Sequence, residues 1–235
     1  MKRFWREAAV VELDGVYSVQ LDGRPMRLPN GPALRLRQRA LADAVAAEWQ
    51  QAGGAVGGEM DFSTVPLTRL AGTAQDRIAP DPAPTVAALA RYAESDMLCY
   101  RAAQPEGLVI RQHHAWQPWL DWAAQTHGAR LVVTNGLMPV AQKQEAVASL
   151  REATAALEPF RLTGLSVLVP AYGSLVLGLA VAAGHLSAAD AHDLSMLDEL
   201  YQEELWGEDA DSVARRANIA RDIADAARFM ALAAA

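Results

Sequence analysis

Cysteine and lysine are almost absent from this chain of 235 residues. Cys99 is the single cysteine, so no internal disulfide can form, which suits a reducing compartment. Its apolar neighbours predict a buried, unreactive thiol. Lys2 and Lys143 are the only lysines, and acidic residues outnumber basic ones to give a formal net charge of −7. Because nucleic acid requires a concentrated basic surface, we expect no nucleic-acid partner.

The sequence also lacks the motifs that bind nucleotides, zinc or acyl groups. It contains no G-x-x-x-x-G-K-S/T phosphate loop, no H-E-x-x-H and no G-x-S-x-G. Neither His185 nor His192 follows a glutamate by three residues, as a di-iron helix bundle requires. The adjacent His113 and His114 diverge by about 100° on a helix and cannot easily share a metal. These absences predict a protein with no cofactor, no metal and no enzymatic activity.

Residues 162–189 contain no Asp, Glu, Lys or Arg, but they do not read as a membrane span. Pro170, Gly173 and Ser174 interrupt the run, and its unbroken part is about half of the roughly 20 residues that a spanning helix needs. We therefore expect a buried helix and no membrane insertion. The N-terminus has no apolar segment typical of a signal peptide, and we expect a cytoplasmic protein.

Two Asp-Gly pairs organise the beginning of the chain. Asp14-Gly15 and Asp22-Gly23 each separate β-prone runs, and Asp-Gly suits the type I′ hairpin turn, whose two central residues need a positive φ. We expect a three-stranded meander in which the third strand, carrying Pro25, lies at an edge or a bulge.

Helical spacing of apolar residues follows the meander. Leu41, Val45 and Trp49 share one face of a predicted helix, and a second helix is predicted to begin at Pro66. Pro80–Pro84 contains three prolines in five residues, which favours a linker. The predicted fold class is α+β, with a small N-terminal domain of β-meander and helices at residues 1–82 and an all-α orthogonal helical bundle at residues 83–235.

Within the second domain the periodicity predicts helices with recognisable ends. Gly128 should end one helix, which Pro118 starts or kinks, and Ser187 and Gly207 should begin and end another. The last helix should be capped by Asp209 or Asp211. The predicted helical segments are residues 85–102, 108–128, 141–159, 172–184, 187–207 and 209–233, with a short extended piece at 129–134 before Asn135-Gly136.

The segment DELYQEELWGED, residues 198–209, places six carboxylates around four apolar side chains. On a helical wheel Leu194, Leu197, Tyr201 and Leu205 form one stripe, which predicts the buried face of the helix. The stretch has two interpretations that the residues alone leave open: a solvated helix face, or a docking edge in which a large aromatic is flanked by charge. Carboxylates without His or Lys nearby are poor acid/base catalysts.

We take the docking interpretation for the candidate site. Trp49, which ends the apolar face of the first predicted helix, is either a core residue or a further partner contact. Because a lone surface glutamate contributes little to folding, Glu199→Lys should weaken partner binding without changing stability. The predicted partner-binding residues are Asp198, Glu199, Gln202, Trp206, Glu208, Asp209 and Trp49.

Several segments of the chain resemble one protein family from end to end. The sequence resembles the assembly chaperones of the catalytic head of F-type ATP synthase, and DELYQEELWGEDADSVARR is the most specific match. The matching segments are Arg3–Ala8, Leu21–Pro25, Ala46–Trp49, Pro66–Arg77, Tyr92–Ala102, Gln112–Trp122, Tyr172–Val181 and Asp198–Arg216.

The resemblance implies an α+β domain joined to a helical bundle, and no catalysis. It implies transient binding of the unassembled alpha subunit, with the chaperone covering the surface that the beta subunit later occupies. We expect a monomer in the bacterial cytoplasm, or in the mitochondrial matrix for a processed eukaryotic homologue.

An alternative from another class is a helical enzyme or small-ligand-binding protein. Its pocket would lie between the domains and be walled by Trp116, Trp119 and Trp122. These tryptophans recur every three residues, a spacing that is also typical of core packing.

Overall fold

The computed structural model describes residues 1–28, 31–135 and 139–234. The chain divides into two compact units. The first unit comprises Met1–Asp81, Pro159–Gly164 and Arg228–Ala235, and the second comprises Pro82–Glu158 and Leu165–Ala227. Two later segments thus belong with the N-terminal residues, and Phe160 and Phe229 from these segments pack in the N-terminal core. Division into domains at residues 1–82 and 83–235 stays a prediction.

The first unit begins with the predicted meander. β1 (Ala8–Leu13), β2 (Val16–Leu21) and β3 (Arg24–Pro25) form an antiparallel sheet in the order β1-β2-β3. Both central residues of each hairpin turn have a positive φ, +53° and +72° in the first turn and +48° and +75° in the second. The Asp-Gly turns and the edge position of the third strand are confirmed.

Two helices cover the core of the first unit. α1 (Arg39–Gln51) buries Leu41, Val45 and Trp49, as its periodicity predicts. α2 (Pro66–Thr73) begins at the predicted proline, and a π-helical turn, Ala74–Ile78, continues it. The carboxylate of a glutamate on α1 accepts hydrogen bonds from the start of α2.

The glutamate that joins α1 to α2 is Glu48. Its Oε1 accepts from the N–H of Leu67 at 2.7 Å, and its Oε2 accepts from the N–H and the hydroxyl of Thr68, both at 3.0 Å. The first N–H groups of a helix have no partner within the helix, and the positive end of the helix dipole favours an anion there. Glu48 of α1 therefore stabilises the N-terminus of α2.

The second unit is built mainly from helices, and α6 and α10 each have residues in both units. A parallel pairing of β4 (Tyr100–Arg101) with β5 (Thr134–Asn135) adds a small strand component to the expected helical bundle. The α+β class is confirmed. The helices are α3 (Ala83–Ala90), α4 (Glu106–His127), α5 (Gln144–Ala155), α6 (Pro159–Tyr172), α7 (Leu175–Ala182), α8 (Ala188–Ser195), α9 (Leu197–Trp206) and α10 (Ala210–Ala234).

Some helix boundaries differ from those predicted. Pro118 lies inside α4, so of the two predicted alternatives it does not begin a helix and the kink stays a prediction, while Gly128 ends α4 in the left-handed conformation (φ +68°) as predicted. α6 was not predicted, and it carries Pro170 inside it. The segment at 85–102 contains α3 followed by two 3₁₀ turns. Gly136 of the predicted Asn135-Gly136 turn lies outside the described residues.

α7 is the buried helix that its apolar sequence predicts, and Gly178 is the reason it packs closely. A Cβ at this position would lie 2.6 Å from Cγ2 of Val169 and 3.0 Å from Cδ1 of Leu165, both on α6. Across the described ranges, no helix is both long enough and apolar enough to span a bilayer.

We expect Gly178→Ala to destabilise the protein by about 1–3 kcal/mol, because overpacking a well-filled core outweighs the better helix propensity of alanine. Thermal and urea unfolding will measure the change. Val169→Ala removes the methyl groups that a Cβ at position 178 would clash with. The double variant Gly178→Ala/Val169→Ala should therefore lose less free energy of unfolding than the sum of the two single losses. If the two losses in unfolding free energy add exactly, residues 169 and 178 do not clash in the single variant.

Candidate partner-binding surface

The acidic stretch is carried by α9 and by the turn that joins it to α10. One continuous helix from Ser187 to Gly207 was predicted, and this is wrong, because the helix breaks at Met196. Ser187 caps α8 as predicted, accepting from the N–H of Asp190 at 3.0 Å. Met196 leaves helical geometry (φ −96°, ψ 6°), and its N–H is shared between the carbonyls of His192 and Asp193. α9 therefore begins as a separate helix at Leu197.

The predicted apolar anchor of this helix is also corrected. Leu194, Leu197 and Tyr201 are only half-buried, Leu205 is 58% exposed, and no residue of α9 is buried. The stripe was drawn on a continuous helix, and the break at Met196 removes that continuity. Polar contacts join α9 to α4 and to α10.

Asp198 is the principal polar contact with α4. Its Oδ1 accepts from Nε2 of Gln112 at 2.7 Å, and Gln112 is 1% exposed. The Oε1 of Gln112 accepts in turn from the N–H of Ala102 at 2.7 Å, and its carbonyl accepts from the guanidinium of Arg101. The Arg101 guanidinium lies 5.1 Å from the ring centroid of Trp116. Asp198 therefore anchors α9 internally.

Glu199 and Glu203 join α9 to α10. Glu199 accepts from Arg215 at 3.1 Å and from Arg216 at 2.9 Å, and Glu203 also accepts from Arg216. The side chains of Arg216 and Glu203 are 14% and 12% exposed. These partners lie 13 to 17 residues apart and on different helices, so a helical wheel, which shows the faces of one helix, cannot reveal the cluster. Glu199 is thus already paired within the chain.

This pairing changes what a charge reversal at Glu199 should do. A neutral effect on folding was expected, but Glu199→Lys would place a third cation beside Arg215 and Arg216. We now expect a stability loss of about 1 kcal/mol, or roughly 2–4 °C in melting temperature.

Glu204→Lys is the matched control, since Glu204 and its partner Arg111 are about half exposed and solvent screens such a pair. Differential scanning calorimetry of both variants at low and moderate salt will measure the effect. Equal melting temperatures for Glu199→Lys and the wild type would contradict a structural role for the cluster.

The end of α9 leaves apolar side chains in water. Trp206 is 77% exposed, Leu205 is 58% exposed, and Val213 at the start of α10 is 39% exposed. Gln202 and Glu208 are exposed beside them in the sequence. We name Gln202, Leu205, Trp206, Glu208 and Val213 the docking edge. The sequence did not predict Leu205 or Val213 as site residues. The predicted stripe placed Leu205 in the core, and Val213 lies on the next helix, outside the acidic stretch.

Asp209 is exposed, but its side chain makes a hydrogen bond within its own turn. Its Oδ2 accepts from the N–H of Ser212 at 2.9 Å, and this hydrogen bond lowers the pKa of Asp209. Asp209 is therefore the N-cap of α10 in the predicted manner. Of the predicted site residues, the structure leaves Gln202, Trp206 and Glu208 free of internal side-chain partners among the residues it describes.

Trp49 belongs to the core of the first unit. It is 4% exposed, and its Nε1 donates to Oγ1 of Thr68 at 2.9 Å. Its carbonyl accepts from Nε1 of Trp5, and its ring lies 5.0 Å from that of Trp5. A side chain this enclosed cannot contact a partner directly, so the core interpretation of Trp49 is the one that the structure supports.

Two of the three tryptophans of the alternative pocket, Trp116 and Trp122, have partners within the chain, and Trp119 is half-buried. Trp116 is 1% exposed and donates from Nε1 to the carbonyl of Leu194 at 2.8 Å. Trp122 lies with its ring 5.1 Å from His127 and 5.8 Å from His185. Cys99 is buried, as predicted, and burial raises the pKa of its thiol to about 12, which makes it a poor nucleophile.

Comparisons with known proteins agree with the resemblance of the motifs. The family model for the ATP12 chaperone protein matches residues 2–124. The mitochondrial protein atp12 of Schizosaccharomyces pombe is 24% identical over 225 residues, which cover 90% of this chain and 76% of the relative.

Solved structures give the closer likeness. The crystal structure of Atp12 from Paracoccus denitrificans superposes with a TM-score of 0.92 at 42% identity, covering 99% of this chain and 98% of that one. The structure of a lysine-for-aspartate variant of the Paracoccus protein gives a TM-score of 0.92 at 41% identity, covering 99% and 97%. The chain therefore belongs to the ATP12 family of F1-ATPase assembly chaperones, which is a family of chaperones and not of enzymes.

Proposed function

We propose that this protein, as a monomer, binds the unassembled alpha subunit of F1-ATPase transiently and covers the surface that the beta subunit later occupies. The observation that carries the proposal is the docking edge, where Trp206 and Leu205 are exposed at the end of a helix. A contiguous exposed aromatic and aliphatic pair marks a protein-binding surface, and tryptophan is the residue most enriched in binding hot spots.

The charge around the docking edge indicates the chemistry of the client surface that would bind there. Glu208 and Asp211 are exposed, and within the described ranges neither side chain has an ion pair. Carboxylates of this kind recognise arginine through paired, charge-assisted hydrogen bonds. The client surface should therefore combine an apolar pocket for Trp206 with at least one arginine or lysine.

A chaperone of this type must also release its client. An unassembled subunit exposes a large apolar interface, which invites aggregation, and a reversible partner lowers that risk. If the docking edge covers the surface that the beta subunit occupies, beta subunit displaces the chaperone by mass action. Adding purified beta subunit to the captured alpha subunit should therefore release this protein into the unbound fraction. A stable complex that contains all three chains would contradict the proposal.

A charge reversal at Glu208 isolates the polar part of the surface. Because Glu208 has no internal partner among the described residues, Glu208→Lys should leave the melting temperature unchanged and weaken alpha-subunit capture about tenfold. Affinity capture of co-expressed alpha subunit will measure it. Glu152→Lys on α5, another exposed glutamate of the second unit, is the control and should capture normally. Normal capture by Glu208→Lys would remove the acidic rim from the binding surface.

A further inference from the structure

A groove on the first unit has features that neither the core nor the docking edge explains. It encloses about 300 Å³, and one side of α2 forms its wall through Thr68, Arg69, Gly72 and Thr73. Asp76 and Arg77, in the π-helical turn that follows, extend the wall. The segment PLTRLAGTAQDR thus has two faces, of which one buries Leu67, Ala71 and Ala74 and the other lines this groove.

The floor of the groove is apolar and open. Leu28 lies at its base, and Phe62 borders it with 43% of its surface exposed. Gly72 leaves room beside Leu28, since a Cβ at this position would lie 3.0 Å from Cδ2 of Leu28. An exposed phenylalanine above a leucine floor offers an apolar side chain a place to be buried.

The rim of the groove is cationic. Arg69 and Arg77 are exposed, and neither takes part in an ion pair within the parts of the chain that the structure describes. With Asp76, whose carboxylate accepts from Gln75, the rim has a net charge of +1, although the whole chain carries −7. Unpaired guanidinium groups are suited to carboxylates, which they bind in a bidentate manner.

The backbone beside this rim departs from a regular helix. Residues 74–78 form a π-helical turn in which the N–H of Ala79 donates to the carbonyl of Ala74 at 2.7 Å. Such turns are rare and occur frequently at functional sites. Here the turn carries Asp76 and Arg77, two of the groove-lining residues.

We propose that this groove is a second client-binding site, which takes an extended segment of the client with an apolar side chain next to an aspartate or glutamate. The apolar side chain lies between Phe62 and Leu28, and the carboxylate pairs with Arg69 or Arg77. The two sites then have opposite charge preferences, since the docking edge on the second unit is acidic. This inference rests on the proposed function, because the alpha subunit is the client that supplies the segment.

Charge reversal tests the rim. Arg69→Glu and Arg77→Glu should each lower alpha-subunit capture about tenfold at an unchanged melting temperature, and Arg24→Glu, an exposed arginine of β3 away from the groove lining, should capture normally. If the wild type captures no alpha subunit, the proposed function itself fails. If the wild type and both groove variants capture alike while Trp206→Ala does not, only the groove proposal fails.

Photo-crosslinking tests the chemistry of the occupant. A benzophenone amino acid in place of Thr73, at the groove wall, should crosslink to one segment of the alpha subunit, identified by mass spectrometry. We expect that segment to contain an Asp or Glu beside an aromatic or aliphatic residue. A segment without an acidic residue, or a crosslink to a second copy of this chain, would overturn the proposal.

Discussion

Trp206→Ala will remove most of the alpha-subunit binding while the fold stays intact. The side chain is 77% exposed, so its removal leaves no cavity and no unpaired polar group inside the protein. Truncation of a tryptophan hot spot costs about 2–4 kcal/mol of binding free energy, which corresponds to a loss of at least about 30-fold in affinity. Titrated capture of the alpha subunit, together with a thermal melt of the same preparation, measures both quantities.

Phe4→Ala is the matched control for that experiment. Phe4 is also a large exposed aromatic, at 60% exposure, but it lies in the first unit outside the lining of the groove. We expect Phe4→Ala to capture the alpha subunit as the wild type does. Undiminished capture by Trp206→Ala would show that the docking edge is not the binding surface, even if family membership is unaffected.

Asp96→Asn will cause the largest loss of stability at a single polar side chain. Asp96 is fully buried, and its two oxygens accept from the N–H groups of Leu98 and Val176 at 3.1 and 3.0 Å. It therefore caps both a 3₁₀ turn and the N-terminus of α7, which Ser174 also caps. At pH 7, where Asp96 is ionised, an asparagine has one acceptor oxygen in place of the carboxylate's two, so one buried N–H loses its partner, and we expect a loss of about 2–3 kcal/mol.

The loss at Asp96 should depend on pH in a defined direction. Burial raises the pKa of Asp96 from 3.8 to about 6, against hydrogen bonds that lower it. Because the folded-state pKa lies above the unfolded value, the stabilisation linked to protonation is fully present below about pH 4 and is lost as the pH rises through about 6. The stability difference between wild type and Asp96→Asn should therefore be largest near pH 4 and smaller at pH 7.

Urea unfolding of both proteins between pH 4 and 8 will test this dependence. The difference between the two proteins cancels the titration of the other carboxylates, which both chains share. A difference that stays constant from pH 5 to 8 and falls only towards pH 4 would mean that Asp96 is charged and stabilised by its donors throughout this range. In that case the hydrogen bonds, and not burial, control its pKa.

Local chemistry accounts for what could be predicted from the sequence alone. Asp14-Gly15 and Asp22-Gly23 determine both hairpin turns, because few residues other than glycine, asparagine and aspartate accept a positive φ. Pro66 and Ser187 mark helix starts, and Gly128 marks a helix end, through interactions that reach only one turn of helix. Family membership, too, follows from short motifs in their order.

The tertiary structure alone decided which acidic side chains are free to meet a partner. Asp198 bonds Gln112, 86 residues away, and Glu199 pairs with Arg215 and Arg216 across two helices. No periodicity within α9 could reveal these contacts, because they depend on how α4 and α10 pack against it. The same packing leaves Leu205 in water, although its spacing placed it in the core. Residues that are close in sequence define turns and caps, whereas exposure and charge pairing are set by neighbours that are distant in the chain.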